Sequence, residues 1–234
     1  MTNSARPDGL EVDPRHVLVI GAGPGLGGAI AHRFAQGGYH LTLLARQADG
    51  LAKLASDLAD GVAAVDTVAA DASDPEGLRA TLTSLYASTG APGVLVYNAS
   101  MLTPGSLLSS DVARLHQAYD VDVAGAIMAT LAAAPAMQAA AGGTIAFTGG
   151  GWADHPGPAW GTVSLGKAVL RETCAQAAAV PDTRHRIAFR RRPRGRRCGP
   201  RCPRRCLAAR PGKPRRARSG RAGRQFQPRS PGST

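Results

Sequence analysis

Cysteine is scarce in this sequence, and the four cysteines are poorly placed for a structural role. One lies at position 174 and the others lie at positions 198, 202 and 206. This arrangement gives no disulfide framework, and the last three lack the fourth ligand and the usual spacing of a zinc site. We therefore expect a protein without disulfides and without a bound metal.

Residues 1–14 do not resemble a secretory signal, because they contain no apolar run behind a basic start, and we expect none. Charge is also missing from residues 123–153, which could indicate a membrane span. That stretch is rich in alanine, however, and it is interrupted by Pro135 and by the glycines at 142 and 143. We expect a buried helix followed by a buried strand, in a cytoplasmic protein that does not bind a membrane.

Acidic residues are absent from the end of the chain. Residues 184–234 hold 19 Lys and Arg and no acid, whereas residues 1–183 hold 9 Lys and Arg and 16 acids, a net charge of −7. The overall charge of +12 therefore describes neither part. Composition divides the chain into a flexible amino terminus at 1–15, one domain at 16–183 and a disordered Arg/Pro-rich tail at 184–234.

Apolar runs and amphipathic segments alternate along the domain. Short apolar runs predict strands, and apolar residues at helical spacing predict helices. The predicted strands are residues 16–20, 39–45, 65–70, 93–97 and 143–148, and the predicted helices are residues 26–36, 50–59, 75–88, 111–134 and 159–179. This alternation predicts an α/β fold with a doubly wound parallel sheet, the Rossmann fold.

A glycine-rich turn follows the first predicted strand, in the sequence HVLVIGAGPGLG at residues 16–27. Its glycines allow a tight turn and a close approach to a pyrophosphate, whose charge is met by free amides of the next helix. Because the turn joins a strand to a helix in a βαβ unit, it predicts a dinucleotide site. The candidate cofactor-binding residues of this turn are Gly21, Gly23, Gly25, Leu26 and Gly27.

The GxxxGxG spacing resembles that of the short-chain dehydrogenase/reductase family, and further motifs follow in that family's order over residues 16–180. The resemblance implies a nicotinamide cofactor. Arg46 follows the second strand, and Ala45 replaces a ribose-binding acid, which implies NADP(H) with NAD(H) less favoured. The resemblance also implies that Asp71 contacts the adenine amino group and that Asn98 and Ala99 leave room for the ribose.

The catalytic residues that the resemblance implies are only partly present. The family uses an asparagine, a serine, a tyrosine and a lysine, and the tyrosine exchanges a proton with the substrate oxygen because its pKa is lowered. Lys167 aligns with the lysine and is also expected to contact the cofactor, but Val163 stands at the tyrosine position. Trp160, seven residues before Lys167, could shape a pocket but cannot act as a titrating acid.

The other two catalytic positions are also replaced. The serine position falls on Gly149 or Gly150, so that Thr148 is the nearest hydroxyl, and Asp122 stands at the asparagine position. The candidate catalytic residues are therefore Lys167, Thr148 and Asp122.

Two functions fit this pattern. The first is an oxidoreductase that transfers a hydride between NADP(H) and a small carbonyl or alcohol substrate, with Lys167, Thr148 or Ser164 and water moving the proton. The second is a catalytically silent NADP(H)-binding protein. A homo-oligomer through the long helices at 111–134 and 159–179 is expected in either case.

The basic tail begins where the family has its sixth strand and a cofactor loop, which predicts an incomplete sheet. In a GC-rich gene, the codons of its Arg, Pro and Gly residues, read one nucleotide later, encode mainly Val, Ala, Gly and Asp. We therefore favour an out-of-frame translation that starts near residues 180–190. The alternative is a basic arm that binds nucleic acid, which is less favoured because such arms usually carry Lys and Ser as well.

Overall fold

The structure is a computed structural model that describes residues 12–59, 64–140, 142–179 and 185–190, with the backbone alone at 178–179 and 185–190. These residues all belong to one compact unit, residues 1–193. Most of the basic tail lies outside the described residues. The frameshift and nucleic-acid hypotheses concern that part of the chain and so also fall outside the described residues.

Six parallel strands form one sheet in the order β3-β2-β1-β4-β5-β6. The strands are β1 Val12–Ile20, β2 His40–Ala45, β3 Val65–Ala69, β4 Ala91–Tyr97, β5 Gly143–Thr148 and β6 His185–Arg190. The helices are α1 Leu26–Ala35, α2 Ala48–Leu58, α3 Pro75–Thr89, α4 Val112–Tyr119, α5 Gly125–Ala139 and α6 Gly161–Ala179. The predicted doubly wound parallel sheet is confirmed.

A sixth strand, β6, adds to the five strands that the sequence predicts. Residues 185–190 were assigned to the tail, yet they pair with β5 from Gly143 and His185 to Thr148 and Arg190. The segment HRIAFR has only three apolar residues among its arginines, so its composition is that of the tail. The segment pairs with the free edge of β5 through backbone hydrogen bonds. Any extended segment can form such bonds, whatever its side chains.

The central strands are apolar throughout because helices cover both faces of the sheet. On one face, Leu18 and Ile20 of β1 belong to a core that includes residues of α3, α5 and α6. On the other face, Val17 and Val19 belong to a core with α1 and α2. Side chains alternate between the faces along a strand, so two covered faces require an unbroken apolar run. This is why the carboxyl end of β1 could be recognised from its sequence.

A π-helical turn at Asp120–Ala124 joins α4 to α5, within the segment that was predicted as one long helix. The Tyr97 hydroxyl donates a hydrogen bond to the Val121 carbonyl oxygen in this turn. A Cβ on Gly125 would lie 2.5 Å from the Tyr97 hydroxyl, so the glycine allows the helix to approach β4. Turns of this kind often occur at functional sites. Here the turn directs Asp122 into the interior, where it is fully buried.

One helix in the described part of the chain, Val112–Ala139, is long and apolar enough to cross a membrane by length and composition. The core helix of a soluble protein passes the same test. Ala126, Ala129 and Ala133 of α5 are fully buried and belong to the core beneath the sheet. The helix and the strand after it are therefore placed as expected, with α5 against the sheet and β5 within it.

Candidate cofactor and substrate site

A cavity of about 670 Å³ opens at the carboxyl ends of the central strands. This edge is where doubly wound sheets bind their ligands, because the strand order reverses there and leaves a crevice. The cavity gathers every predicted site residue except Asp122. These residues are Gly21, Gly23, Gly25, Leu26, Gly27, Arg46, Asp71, Asn98, Ala99, Thr148 and Lys167.

Two glycines of the turn are required by the fold itself. Gly21 has φ +83°, and a Cβ there would lie 2.4 Å from the Ala99 amide nitrogen. A Cβ on Gly27 would lie 2.2 Å from the Gly21 carbonyl oxygen. Both positions therefore exclude any side chain before a ligand is considered.

Gly23 and Gly25 are different, because a Cβ on either would meet nothing within 4 Å. Both line the cavity, and Gly25 has no side chain to cap the amino terminus of α1. The first amides of a helix lack intrahelical partners and attract an anion. The turn thus leaves open space beside a helix amino terminus, and a diphosphate fits that combination.

Asn98 braces the turn as well as lining the cavity. Its side-chain nitrogen donates a hydrogen bond to the Gly21 carbonyl oxygen at 2.9 Å, and its amide donates to the Ile20 carbonyl oxygen at 2.8 Å. The resemblance implied only a place beside the ribose. The hydrogen bonds show that Asn98 also ties the end of β4 to the turn after β1.

Arg46 and Asp71 lie at the far end of the cavity from Lys167. Arg46 is exposed directly after β2, and none of the acids in the described residues forms an ion pair with it. Asp71 is also exposed and accepts a hydrogen bond from the Ser73 amide at 2.9 Å. An unpaired guanidinium suits a phosphate, which it can bind through two parallel hydrogen bonds.

Lys167 and Val163 occupy successive turns of α6 and both line the cavity. Lys167 is 7% exposed and Val163 is 1% exposed, so valine forms part of the buried wall where a phenol would project. Thr148 ends β5 and also lines the cavity, followed by Gly149 and Gly150. A Cβ on Gly150 would meet nothing within 4 Å, so packing does not require glycine there.

Ser164 does not line the cavity with the other hydroxyl candidates. It is buried, and its hydroxyl oxygen accepts a hydrogen bond from the Gly157 amide at 3.1 Å. Residue 164 follows Val163 on the helix and faces a different side, since neighbouring helical residues are about 100° apart. The expectation that Ser164 could move a proton to the substrate is therefore corrected, and its hydroxyl anchors the segment before α6.

Asp122 lies beneath the cavity, close enough to Lys167 for the two charges to influence each other. Burial raises the pKa of the Asp122 carboxyl, and the neighbouring Ser100 hydroxyl and Lys167 ammonium oppose that rise. Burial lowers the pKa of Lys167, and Asp122 opposes that change. Each group therefore favours the charged form of the other.

The Asp122 carboxyl is only partly satisfied. Its Oδ1 accepts a hydrogen bond from the Met101 amide at 3.3 Å, whereas Oδ2 has no hydrogen-bond partner among the described residues. A Cβ on Gly166 would lie 2.7 Å from the Asp122 Cβ, so the glycine before Lys167 makes room for the acid. The carboxylate and the ammonium are thus held on adjoining helices without a direct ion pair.

Two tryptophans form a stack in the segment between β5 and α6. The rings of Trp152 and Trp160 lie 5.1 Å apart at an angle of 17°, and Trp152 lines the cavity. The sequence indicated Trp160 as a pocket residue but gave no reason to single out Trp152. Its position depends on the 3-10 turn at Gly151–Ala153, which has no periodic pattern to reveal it.

Comparison with known proteins identifies relatives of this architecture. A family model for short chain dehydrogenase matches residues 15–187. Sulfoacetaldehyde reductase 2 of Chromohalobacter salexigens is 30% identical over 158 residues, which cover 67% of this chain and 62% of that protein. Galactitol 2-dehydrogenase (L-tagatose-forming) of Cereibacter sphaeroides is 35% identical over 141 residues, which cover 60% and 54%. The chain thus spans little more than half the length of these curated relatives.

Solved structures agree with the sequence relatives. L-Sorbose reductase from Gluconobacter frateurii, complexed with NADPH and L-sorbose, is 28% identical with a TM-score of 0.70 over 77% of this chain and 70% of that chain. A gluconate 5-dehydrogenase homologue from Beutenbergia cavernae, with bound NADP, is 27% identical with a TM-score of 0.69 over 76% and 71%. With its glycine turn, its sheet order and its match over residues 15–187, the chain belongs to the short-chain dehydrogenase family of oxidoreductases.

Proposed function

We propose that this protein is an NADP(H)-dependent oxidoreductase that acts on a small carbonyl or alcohol substrate. The supporting observation is that one cavity, at the carboxyl edge of the sheet, is lined by the open glycines of the turn, by Arg46 and by Lys167. The bound nicotinamide supplies the hydride in this chemistry. The chain's own residues have to bind the cofactor and to transfer a proton to or from the substrate oxygen.

The residues present fit such a cofactor along the whole cavity. The open space at Gly23 and Gly25 beside the start of α1 suits a diphosphate. Asp71, Asn98, Ala99 and Lys167 also line this cavity. Asp71 would contact the adenine, Asn98 and Ala99 would lie beside the ribose, and Lys167 would hold the nicotinamide end.

Arg46 supports NADP(H) as the preferred cofactor, because a cation at the end of β2 suits a 2′-phosphate and no acid is there to bind a free ribose. We expect Arg46→Asp to weaken NADPH binding by about 10- to 100-fold, the effect of losing a charged hydrogen bond, and to leave NADH binding nearly unchanged. Calorimetric titration with both cofactors measures this.

Arg33→Asp is the matched control for the Arg46 substitution, since Arg33 is an exposed arginine of α1 that does not line the cavity. It should change neither affinity. Equal binding of NADPH and NADH by the unmodified protein, or an unchanged preference in Arg46→Asp, would contradict the NADP(H) assignment.

Proton transfer has to proceed without a tyrosine. In a reduction the carbonyl carbon receives the hydride and the carbonyl oxygen receives a proton, so that an alcohol forms. Lys167 is the acid that we assign to this step, with Thr148 donating a hydrogen bond to the same oxygen. Asp122, beneath Lys167, is a positioning residue that favours the ammonium form, and solvent returns the proton to the lysine.

A catalytically silent NADP(H)-binding protein is the second candidate function. It is favoured by Val163, a buried side chain with no exchangeable proton at the tyrosine position. Single-turnover oxidation of bound NADPH with a panel of aldehydes and ketones separates the two functions. Positioned proton donation contributes about 10²- to 10⁴-fold, so we expect slow but measurable turnover. Cofactor binding without any hydride transfer would favour the silent protein.

Location and assembly also belong to this proposal. We propose a cytoplasmic protein that forms a homo-oligomer through its long helices and binds neither membranes nor nucleic acid. Exposed Tyr119 and Leu131 on the α4–α5 segment and Leu165 on α6 are consistent with such helix contacts. Sedimentation of the purified protein would test this assembly.

A further inference from the structure

The end of the cavity around Lys167 has a different chemistry from the end that suits the phosphates. Trp152, Val163, Met101 and Val121 contribute apolar surface there, and Lys167 is the one charged side chain among the described residues that line this end. Ser100, Thr103, Gln117 and Thr148 also line the cavity and supply its uncharged polar groups. Trp152 is the one aromatic side chain among the described residues that line it.

Trp152 is held in place by contacts on its own side of the cavity. It stacks on Trp160, and a Cβ on Gly157 would lie only 3.0 Å from the Trp152 indole nitrogen. The Gly157 backbone is itself fixed by the hydrogen bond to the Ser164 hydroxyl. An aromatic ring that is already immobilised loses little further freedom when a ligand stacks on it.

The loop after β4 is tied to the segment that carries Trp160. The Gly105 amide donates to the Ala159 carbonyl oxygen at 2.8 Å, and the Gly161 amide donates to the Gly105 carbonyl oxygen at 2.9 Å. Met101 lies in the same loop, and its amide donates to buried Asp122. The loop after β4 and the segment that carries Trp160 are therefore fixed to each other, and the loop is also fixed to the core through Asp122.

Glycine at positions 150 and 151 leaves space next to Trp152. A Cβ at either position would meet nothing within 4 Å, so these glycines are not explained by packing. Gly150 lines the cavity together with Thr148 and Trp152, so no side chain at this position covers the cavity beside the indole.

We propose that this cavity selects carbonyl compounds in which an aromatic or other planar unsaturated group is attached to the carbonyl carbon, and that this group stacks on Trp152. The proposal rests on the proposed oxidoreductase function. The carbonyl oxygen lies toward Lys167 and Thr148, and the planar group lies along the Trp152 indole. Stacking of aromatic rings adds about 2- to 10-fold in affinity to what the buried area alone provides.

A matched pair of ketones tests the proposal by binding, without requiring turnover. Acetophenone and cyclohexyl methyl ketone share the same carbon skeleton and differ in whether the ring is planar. Calorimetric titration into protein saturated with NADP⁺ should give about 2- to 10-fold tighter binding of acetophenone. Equal affinities, or tighter binding of the saturated ketone or of L-sorbose, would overturn the proposal.

Substitutions of Trp152 test whether this residue causes the preference for acetophenone. Trp152→Leu should remove the preference for acetophenone, and Trp152→Phe should retain it because an aromatic face remains. Circular dichroism and thermal unfolding establish that both variants are folded, and a preference unchanged in folded Trp152→Leu would count against stacking. If Trp152→Leu does not fold, loss of the preference in Trp152→Phe would itself contradict the proposal.

Fluorescence gives a second measurement, because Trp152 and Trp160 are the only tryptophans in the chain. In Trp160→Phe all tryptophan emission comes from Trp152. Acetophenone should quench this emission over a concentration range that matches the dissociation constant from calorimetry. Titration with NADPH beforehand tests the cofactor site separately. If the protein binds NADPH and prefers acetophenone but transfers no hydride, the oxidoreductase function is rejected. The proposed preference for planar carbonyl compounds would then still hold.

Discussion

The two ends of the cavity are constrained by different requirements. At the cofactor end, the fold leaves no room for a side chain at Gly21 or Gly27, whatever the ligand. At the catalytic end, a Cβ on Gly150 would meet nothing within 4 Å, and Val163 lines the cavity where the family's tyrosine would project. The difference teaches that the fold itself requires Gly21 and Gly27, whereas only the chemistry would require a serine at position 150 or a tyrosine at position 163.

The largest expected effect comes from restoring the missing phenol. Val163→Tyr places a hydroxyl one helical turn before Lys167, where the ammonium can lower the tyrosine pKa. We expect NADPH oxidation to rise by about 10²- to 10⁴-fold in single-turnover measurements with a carbonyl substrate. Combination with Gly150→Ser should increase the rate further by adding a hydrogen bond to the substrate oxygen.

Val163→Phe is the control, because it has nearly the volume of tyrosine and no hydroxyl. It should leave the rate near that of the unmodified protein while imposing the same crowding of the wall. A rise in Val163→Phe equal to that in Val163→Tyr would mean that shape, and not proton transfer, limits the reaction.

The cofactor end should instead lose stability when it is altered. Gly21→Ala has to accept φ +83° and a Cβ 2.4 Å from the Ala99 nitrogen, so we expect a loss of about 3 kcal/mol in the free energy of unfolding. Gly23→Ala is its matched partner, since its Cβ meets nothing within 4 Å and should reduce NADPH affinity alone. Denaturant unfolding and cofactor titration of both variants measure the contrast. A similar stability loss at both glycines would show that the fold also requires the open position at Gly23, and that its glycine is not explained by the cofactor.

A smaller effect is expected from Asp122, the buried acid near Lys167. Burial lowers the pKa of Lys167 and Asp122 opposes that change, so Asp122→Asn should lower the pKa further and confine the protonated lysine to lower pH. A reduction that needs the ammonium should then fall off at a lower pH than in the unmodified protein. Single-turnover rates across a pH series measure the shift.

Asp120→Asn is the control for Asp122→Asn, because Asp120 lies in the same π-helical turn but is not among the charges that shift the pKa of Lys167. Its pH profile should match that of the unmodified protein. An unchanged profile in Asp122→Asn would show that Lys167 does not carry the transferred proton.

Most elements of this fold could be predicted from patterns that lie close together in the sequence. The apolar run of β1 and the helical spacing of α1 are local properties, and the glycine turn between them carries its own backbone requirement. The π-helical turn could not be predicted, because it follows from the contact between Tyr97 and Val121, which are distant in the sequence. Strand β6 was missed because an arginine-rich context concealed a segment whose position is set by the edge of β5.

By itself, the sequence determined the order of the first five strands and of the helices between them, the glycine turn and the identity of the residues that replace the family's catalytic set. These follow from side-chain periodicity and from residue types, which are properties of short segments. Only the tertiary structure decided that Asp122 lies buried beneath Lys167, that Ser164 faces away from the cavity and that Trp152 forms its wall. Such relationships depend on how separate helices and loops pack, and packing brings together residues that no local pattern connects.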